Sequence, residues 1–191
     1  MAKRKGKLFI VSAPSGSGKT TLCERLIKRM PHIVRSVSFT TRLPRKNEKD
    51  GRDYIFVTKK EFEKEIRRKN LLEWARNFGY YYGTPKDRVL KLLARGTDVI
   101  LAIDVKGAMK VKRLCPKGIF IFILPPSMAE LRNRLKRRKT DGYSEISKRM
   151  QAAIREFSYL PKYTYSVVND NLEKATDKLE AIVMAERCKI R

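Results

Sequence analysis

An α/β fold with a parallel core sheet follows from three features of the sequence. Two runs, Asp98-Val99-Ile100-Leu101-Ala102-Ile103 and Ile119-Phe120-Ile121-Phe122-Ile123-Leu124, continuously apolar after the leading Asp98, read as strands buried on both faces. Strand-like and helix-like segments alternate along the chain, as βαβ crossovers require. The apolar run Leu8-Phe9-Ile10-Val11 leads into Ala13-Pro14-Ser15-Gly16-Ser17-Gly18-Lys19-Thr20 and then a helical pattern, Leu22, Leu26, Ile27 and Met30. That order of strand, glycine loop and helix is the context of a phosphate-binding P-loop.

The chemistry of the loop follows from its residues. Gly16 and Gly18 let the backbone curl so that successive N–H groups face inward at a helix N-terminus, an anion nest. Lys19 can reach the β- and γ-phosphates of a nucleotide, and the Thr20 hydroxyl can ligate Mg²⁺. Thr21 continues the same helical turn. The first position of G-x-x-x-x-G-K-[ST] is Ala13 rather than glycine, which fits if its φ is negative.

After the first helix, Pro31 and His32 mark a turn. Ile33 to Phe39 reads as a strand, followed by a hydrophilic loop, Lys46 to Asp53, and a short strand, Tyr54-Ile55-Phe56-Val57. Lys59 to Lys69 reads as an exposed helix with Phe62 and Ile66 facing inward. Leu71 to Ala75 and Tyr80 to Thr84 form a hairpin around Gly79, and Pro85 opens a helix that stops at Gly96. Asp104 stands at the end of the strand Asp98 to Ile103, before a helix from about Lys106 to Leu114. Pro125-Pro126-Ser127 ends the next strand and caps a helix carrying Leu131 and Leu135. Residues 137–144 are charged, contain Gly142 and read as a mobile loop. A helix from about Glu145 to Tyr159, a strand Tyr165 to Asn169 and a helix Leu172 to Cys188 complete the chain. The reading is one domain over 1–191, with a core of about 1–32, 96–136 and 145–191, an inserted strand-rich unit of about 33–95 and a lid of about 137–144.

With 191 residues the chain can bury a sizeable core. No apolar run approaches the roughly 20 residues needed to span a bilayer, so no membrane partner is expected. The basic start, Lys3-Arg4-Lys5, leads only into a short strand, so a signal peptide is not expected either. Cys23, Cys115 and Cys188 are scattered and odd in number, as in reduced cytoplasmic proteins. The 45 Lys and Arg residues against 20 Asp and Glu give a net charge of +25, a field that attracts polyanions. The basic residues are spread along the whole chain and no segment matches a nucleic-acid recognition motif, so specific nucleic-acid binding is not expected.

The inserted unit carries a second set of polar residues. Arg42 and Arg45 lie on one loop, near Tyr54 and Tyr82 in the reading of the strands; two guanidinium groups and tyrosine hydroxyls can hold a phosphate monoester. Glu73 sits before Trp74 on an otherwise apolar strand. A carboxylate there can accept from adjacent donors such as the N1–H and N2–H₂ edge of guanine, which adenine lacks.

With these residues in view, the chain closely resembles the guanylate kinases. The matching segments are Ser36 to Arg45, Asp50-Gly51-Arg52-Asp53-Tyr54, Glu73-Trp74, Tyr81-Tyr82-Gly83-Thr84, Ile103-Asp104-Val105-Lys106-Gly107, Ile121 to Pro126 and Val167-Val168-Asn169-Asp170. They run in order from about Lys7 to Ala185. The resemblance implies a P-loop nucleoside-monophosphate-kinase-type three-layer fold with an inserted mixed-β GMP-binding subdomain. It implies transfer of the γ-phosphoryl of ATP, bound with Mg²⁺, to GMP and also to dGMP, in a cytoplasmic monomer or small homo-oligomer. Ser38, Glu73, Thr84 and Asp104 would read the guanine, and Arg42, Arg45, Tyr54 and Tyr82 would grip the GMP phosphate. Lys19 would act with Arg134, Arg138 and Arg149, the lid and catalytic arginines, while Asn169 would lie near the adenine of ATP.

Plainer readings stand beside these. Arg134 and Arg138 could be solvated charges in an arginine-rich stretch, Tyr82 core packing and Asp104 a helix cap. Three positions depart from the family pattern: Ala102 replaces an acidic residue, Lys106 a glutamine, and Arg138-Lys139-Thr140 an arginine-glycine-threonine. Slower or retuned activity is the expectation from them. Three other functions share parts of this pattern: a kinase for another phosphate monoester, which Glu73 with Ser38 and Thr84 argues against; a non-catalytic protein-binding domain, against which the intact Lys19 and Thr20 speak; and a nucleic-acid-binding protein, suggested by charge alone.

Overall fold

A computed structural model describes residues 5–77, 79–137 and 143–190. The chain starts with β1 (Leu8–Ser12), α1 (Lys19–Arg29) and β2 (Ile33–Arg35). Next come β3 (Phe39–Thr40), β4 (Ile55–Phe56), α2 (Lys59–Arg67), β5 (Leu71–Asn77), β6 (Tyr80–Pro85) and α3 (Lys86–Ala94). β7 (Asp98–Ala102), α4 (Val105–Leu114), β8 (Ile119–Leu124), α5 (Met128–Arg137), α6 (Tyr143–Phe157), a one-turn helix at Leu160–Lys162, β9 (Tyr165–Val168) and α7 (Leu172–Cys188) complete it.

Two sheets result. The core sheet has the order β2-β7-β1-β8-β9, with every pairing parallel. Apart from Ser12 and Asp98, its central strands are apolar at every position because both faces are covered. Phe9 and Val11 of β1 pack with Leu22, Leu26, Leu179 and Val183 on the side of α1 and α7. Leu8 and Ile10 pack with Val89, Ala108 and Val111 on the side of α3 and α4. Helices on both faces of a parallel sheet make the three layers. α5 and α6 form a separate pair around Leu131, Leu135, Ile146 and Ala153.

The second sheet, β4-β3-β6-β5, is mixed, with β3 parallel to β4 and antiparallel to β6. The hairpin of β5 and β6 turns at Gly79, whose φ of +86° is left-handed. The segment Ile33 to Phe39, read above as one strand, is two. Ile33–Arg35 adds an edge to the core sheet beside β7, and the chain then leaves to open the second sheet at Phe39. A local apolar pattern cannot report such a change of partner. The strand read at Tyr54 to Val57 shrinks to Ile55–Phe56, with Tyr54 making a single bridge to Asp50. Among the described residues no helix is long and apolar enough to cross a membrane.

The end of the core sheet away from the P-loop is held by a buried ion pair. Asp98 is fully buried at the start of β7; its carboxylate accepts from Lys7 N–H at 2.7 Å and from Arg187 Nε at 2.8 Å. Arg187 also donates to Pro31 O at 2.9 Å, so α7, β7 and the turn after α1 meet on one guanidinium. Removing it takes one charged partner from a buried carboxylate, a loss that typically costs about 3 kcal/mol. Arg187→Ala is expected to lower the thermal midpoint by roughly 6–12 °C in scanning calorimetry. A shift of less than about 2 °C would show that the pair contributes nothing.

Candidate active site

The polar cleft lies outside the carboxyl ends of β1 and β7, where the strand order reverses and open α/β sheets bind ligands. Its floor is the P-loop. Gly16 and Gly18 both take left-handed backbone, φ +97° and +86°. Gly18 is the N-cap of α1 and brings no side-chain acceptor, so the first N–H groups of the helix stay available to an anion. Among the described non-glycine residues only His32 and Lys69 have positive φ, so Ala13 sits in the loop without backbone strain.

The loop is held from behind. The Asn169 side-chain amide, 5% exposed as a residue, donates to Ser17 O at 2.8 Å, and a Cβ at Gly18 would stand 2.3 Å from it. Asn169 and Ser17 therefore lie beneath the loop rather than on the cleft wall, which Ala13, Pro14, Ser15, Gly16, Gly18, Lys19, Thr20 and Thr21 form. Arg134 of α5 donates to Asn169 O at 3.0 Å and to Glu130 at 2.9 Å, and it too stands off the wall. Arg149 of α6 lies over the loop, donating to the Ser15 hydroxyl at 3.0 Å. Arg138 lies outside the described residues.

Lys19 extends across the cleft and donates to Ile103 O at 2.7 Å. Burial pulls its pKa down, opposed chiefly by Asp104. Asp104 caps α4 through the Gly107 N–H at 2.8 Å while also lining the cleft, so the cap read from sequence is present and does not take the residue away from the cleft.

The far wall comes from the second sheet, which supplies Ser38, Arg45, Tyr54, Glu73 and Tyr82. Tyr54 and Tyr82 meet edge to face with ring centres 5.9 Å apart. Glu73 and Thr84 face each other across β5 and β6, and the Thr84 hydroxyl donates to Glu73 Oε1 at 2.7 Å. Burial pushes the Glu73 carboxyl up to about 7, against the pull of that bond. Arg42 stands behind the wall. Its Nη2 donates to both carboxylate oxygens of Glu48, at 2.8 and 2.9 Å, and its Nη1 to Leu43 O. Burial works against its charge, but the hydrogen bonds with Glu48 and Tyr82 outweigh this and hold its pKa above the ordinary value.

Two acidic residues here were missed in the sequence reading. Glu48 accepts from Arg42 and from the Arg45 N–H at 2.8 Å, joining both arginines of the loop to one carboxylate. It sits in a charged hydrophilic loop, where nothing local distinguishes it. Glu156 reaches the cleft from α6. It follows Arg149 by seven residues, two helical turns, and that spacing could have found it. Burial pushes its pKa up to about 7, with Lys19 opposing and Asp104 reinforcing the shift. Ala102 puts only a methyl group on this wall, and Glu156 brings the carboxylate there from another element.

A P-loop, a buried carboxylate and a cluster of arginines and tyrosines thus share one cleft, a layout suited to two nucleotide phosphates and one base. The whole chain is also similar to known proteins. The guanylate kinase family profile matches residues 5–186. The guanylate kinase of Caldanaerobacter subterraneus subsp. tengcongensis is 49% identical over 98% of this chain and 91% of its own. That of Carboxydothermus hydrogenoformans is 50% identical over 97% of this chain and 91% of its own. The crystal structure of guanylate kinase from Anaplasma phagocytophilum superimposes with a TM-score of 0.84 at 35% identity, covering 99% of this chain and 90% of its own. The chain belongs to the guanylate kinase family.

Proposed function

We propose that this cleft transfers the γ-phosphoryl group of ATP to GMP, giving ADP and GDP. The protein is an ATP:GMP phosphotransferase, a nucleoside monophosphate kinase. The observation that carries the reading to the residues is that Lys19 of the P-loop and the buried Glu73 line one cavity. ATP phosphates lie along the nest of N–H groups at the start of α1, and GMP lies against the second sheet. Glu73, as a carboxylate steadied by Thr84, accepts from N1–H and N2–H₂ of guanine, while adenine presents an acceptor at N1 and is refused. Ser38 and Asp104 complete the base site. Arg45, Tyr54 and Tyr82, with Arg42 behind them, hold the acceptor phosphate.

The acceptor is an anionic phosphate oxygen, so the reaction needs no general base and no covalent intermediate. The work of the site is alignment and charge neutralisation. The Lys19 ammonium has two further donors when one is given to Ile103 O, and in this reading they serve the phosphates. Arg149 is fixed over the P-loop on the Ser15 hydroxyl, and in this reading it neutralises the charge that builds on the transferred group. Arg138 joins it on the strength of the resemblance. Among the described residues no three His, Cys, Asp or Glu side chains form a metal cage. A Mg²⁺ ion would therefore arrive on the nucleotide, with the Thr20 hydroxyl as its protein ligand and relief of phosphate charge as its contribution. Three unpaired cysteines fit a reducing compartment, and we place the enzyme in the cytoplasm.

Release of ADP from ATP·Mg²⁺ is expected to be fast with GMP and near background with AMP, UMP, CMP or no acceptor. Equal, weak turnover across the panel would overturn the reading. Arg149→Ala is expected to lower kcat by about 10²–10³-fold with little change in KM for GMP; a kcat near the parent value would remove Arg149 from the reaction. Only the charged form of Glu73 accepts both guanine donors, and its pKa is near 7. KM for GMP should therefore rise as the pH falls below about 7, by up to about tenfold per unit, while KM for ATP stays flat. Glu73→Gln should abolish that pH dependence and raise KM for GMP at pH 8. A KM for GMP constant from pH 6 to 8 in the parent would contradict the assignment.

A further inference from the structure

Gly107 lies in the first turn of α4, and its identity is not explained by the helix. Its φ is not among the positive glycine values of the described residues, so no left-handed backbone requires it. Glycine is a poor helix former, and alanine would favour the helix. The space beside it supplies the reason. A Cβ at this position would stand 2.6 Å from Glu73 Oε2, 3.2 Å from Glu73 Cδ and 3.4 Å from Ile103 Cδ1. The nearest obstacles are side-chain atoms, so the helix backbone can accept alanine and the Glu73 carboxylate has to yield.

That carboxylate has little room to retreat. Glu73 is 6% exposed, and its other oxygen is held by the Thr84 hydroxyl at 2.7 Å. α4 cannot easily back away from it either. One turn beyond Gly107, Lys110 donates to Trp74 O, and its ammonium lies 4.4 Å from the centre of the Trp74 ring, tying α4 to β5. A side chain at 107 would therefore push Oε2 toward the cleft or break the bond to Thr84. Either movement disturbs the pair of oxygens that face the guanine edge.

We infer that Gly107 is a specificity-determining position: by having no side chain it seats the Glu73 carboxylate against α4, in the one place where both oxygens can meet the base. This rests on the guanine-reading role of Glu73 proposed above. Gly107 touches no substrate and acts through Glu73 alone.

The test is Gly107→Ala in the full chain, with steady-state kinetics for GMP and for inosine monophosphate, which keeps N1–H and lacks the 2-amino group. Expected are an unchanged or raised thermal midpoint, an unchanged KM for ATP, a KM for GMP raised about tenfold or more, and a smaller preference for GMP over inosine monophosphate. Glu73→Asp, whose shorter side chain clears the new methyl group, should cost less in the Gly107→Ala background than in the parent. If the parent prefers GMP but the variant keeps its KM and preference within twofold, the inference fails while the role of Glu73 stands. A lowered midpoint with KM for GMP and ATP rising together makes Gly107 a packing residue and also overturns it. A parent that does not distinguish the two acceptors removes the Glu73 reading and the inference with it.

Discussion

The cleft takes its shape from a close approach of two backbone segments. Behind the P-loop, the Asn169 amide reaches Ser17 O at 2.8 Å, and at Gly18 no Cβ would fit beside it. Gly18 can turn left-handed there and start α1 without a side-chain cap, so the N–H groups that a helix start normally spends on a cap are left facing the cleft. The same asparagine receives a hydrogen bond from Arg134 on its carbonyl. α5, the end of β9 and the P-loop are therefore one connected assembly, and Arg149 ties α6 to it through Ser15. The helices that flank residues 138–142 thus both report directly to the loop that would hold the donor phosphates.

Charge is distributed unevenly in this strongly basic chain. Its net charge is +25, yet the cleft gathers Glu73, Asp104 and Glu156 around a single partly buried lysine. Burial disfavours the charged forms of Glu73, Glu156 and Lys19, raising the two carboxyls to about 7 and lowering the lysine. Their mutual interactions partly offset the cost. The arginines lie at the margins, on the loop after β3 and on α5 and α6. A nucleotide base brings donors and a phosphate brings negative charge, so an acidic group deep in the second sheet, Glu73, and basic groups at the loops suit the two ends of one monophosphate.

Glu48 shows how the basic end is kept ready. A guanidinium awaiting a phosphate has a flexible stem, and ordering it on binding costs conformational entropy. Here Arg42 is already held by both oxygens of Glu48, stacked near Tyr54 at 5.6 Å, with the Arg45 backbone drawn onto the same carboxylate. The Arg42 guanidinium is thus ordered in advance, while Arg45 is tied to the same carboxylate through its backbone.

The sequence by itself determined the elements whose signals are local. The apolar runs at Leu8, Asp98 and Ile119 could only be strands covered on both faces. The Gly16-Ser17-Gly18-Lys19 turn, set between a strand and a helical pattern, reads as a phosphate loop, and the ordered motifs pointed to the family. It could not show that Ile33–Arg35 joins one sheet and Phe39–Thr40 another, because the apolar pattern does not say which edge a strand meets. Nor could it separate wall from support. Asn169 and Ser17 are 152 residues apart, and Arg149 and Ser15 are 134 apart. Only their meeting in space makes one a brace beneath the loop and lays the other over it. The contact of Gly107 with Glu73 and the burial that lifts Glu73 to about 7 are likewise tertiary. Chemical type is carried by each residue alone, but reach, burial and charge state depend on what the fold packs against it.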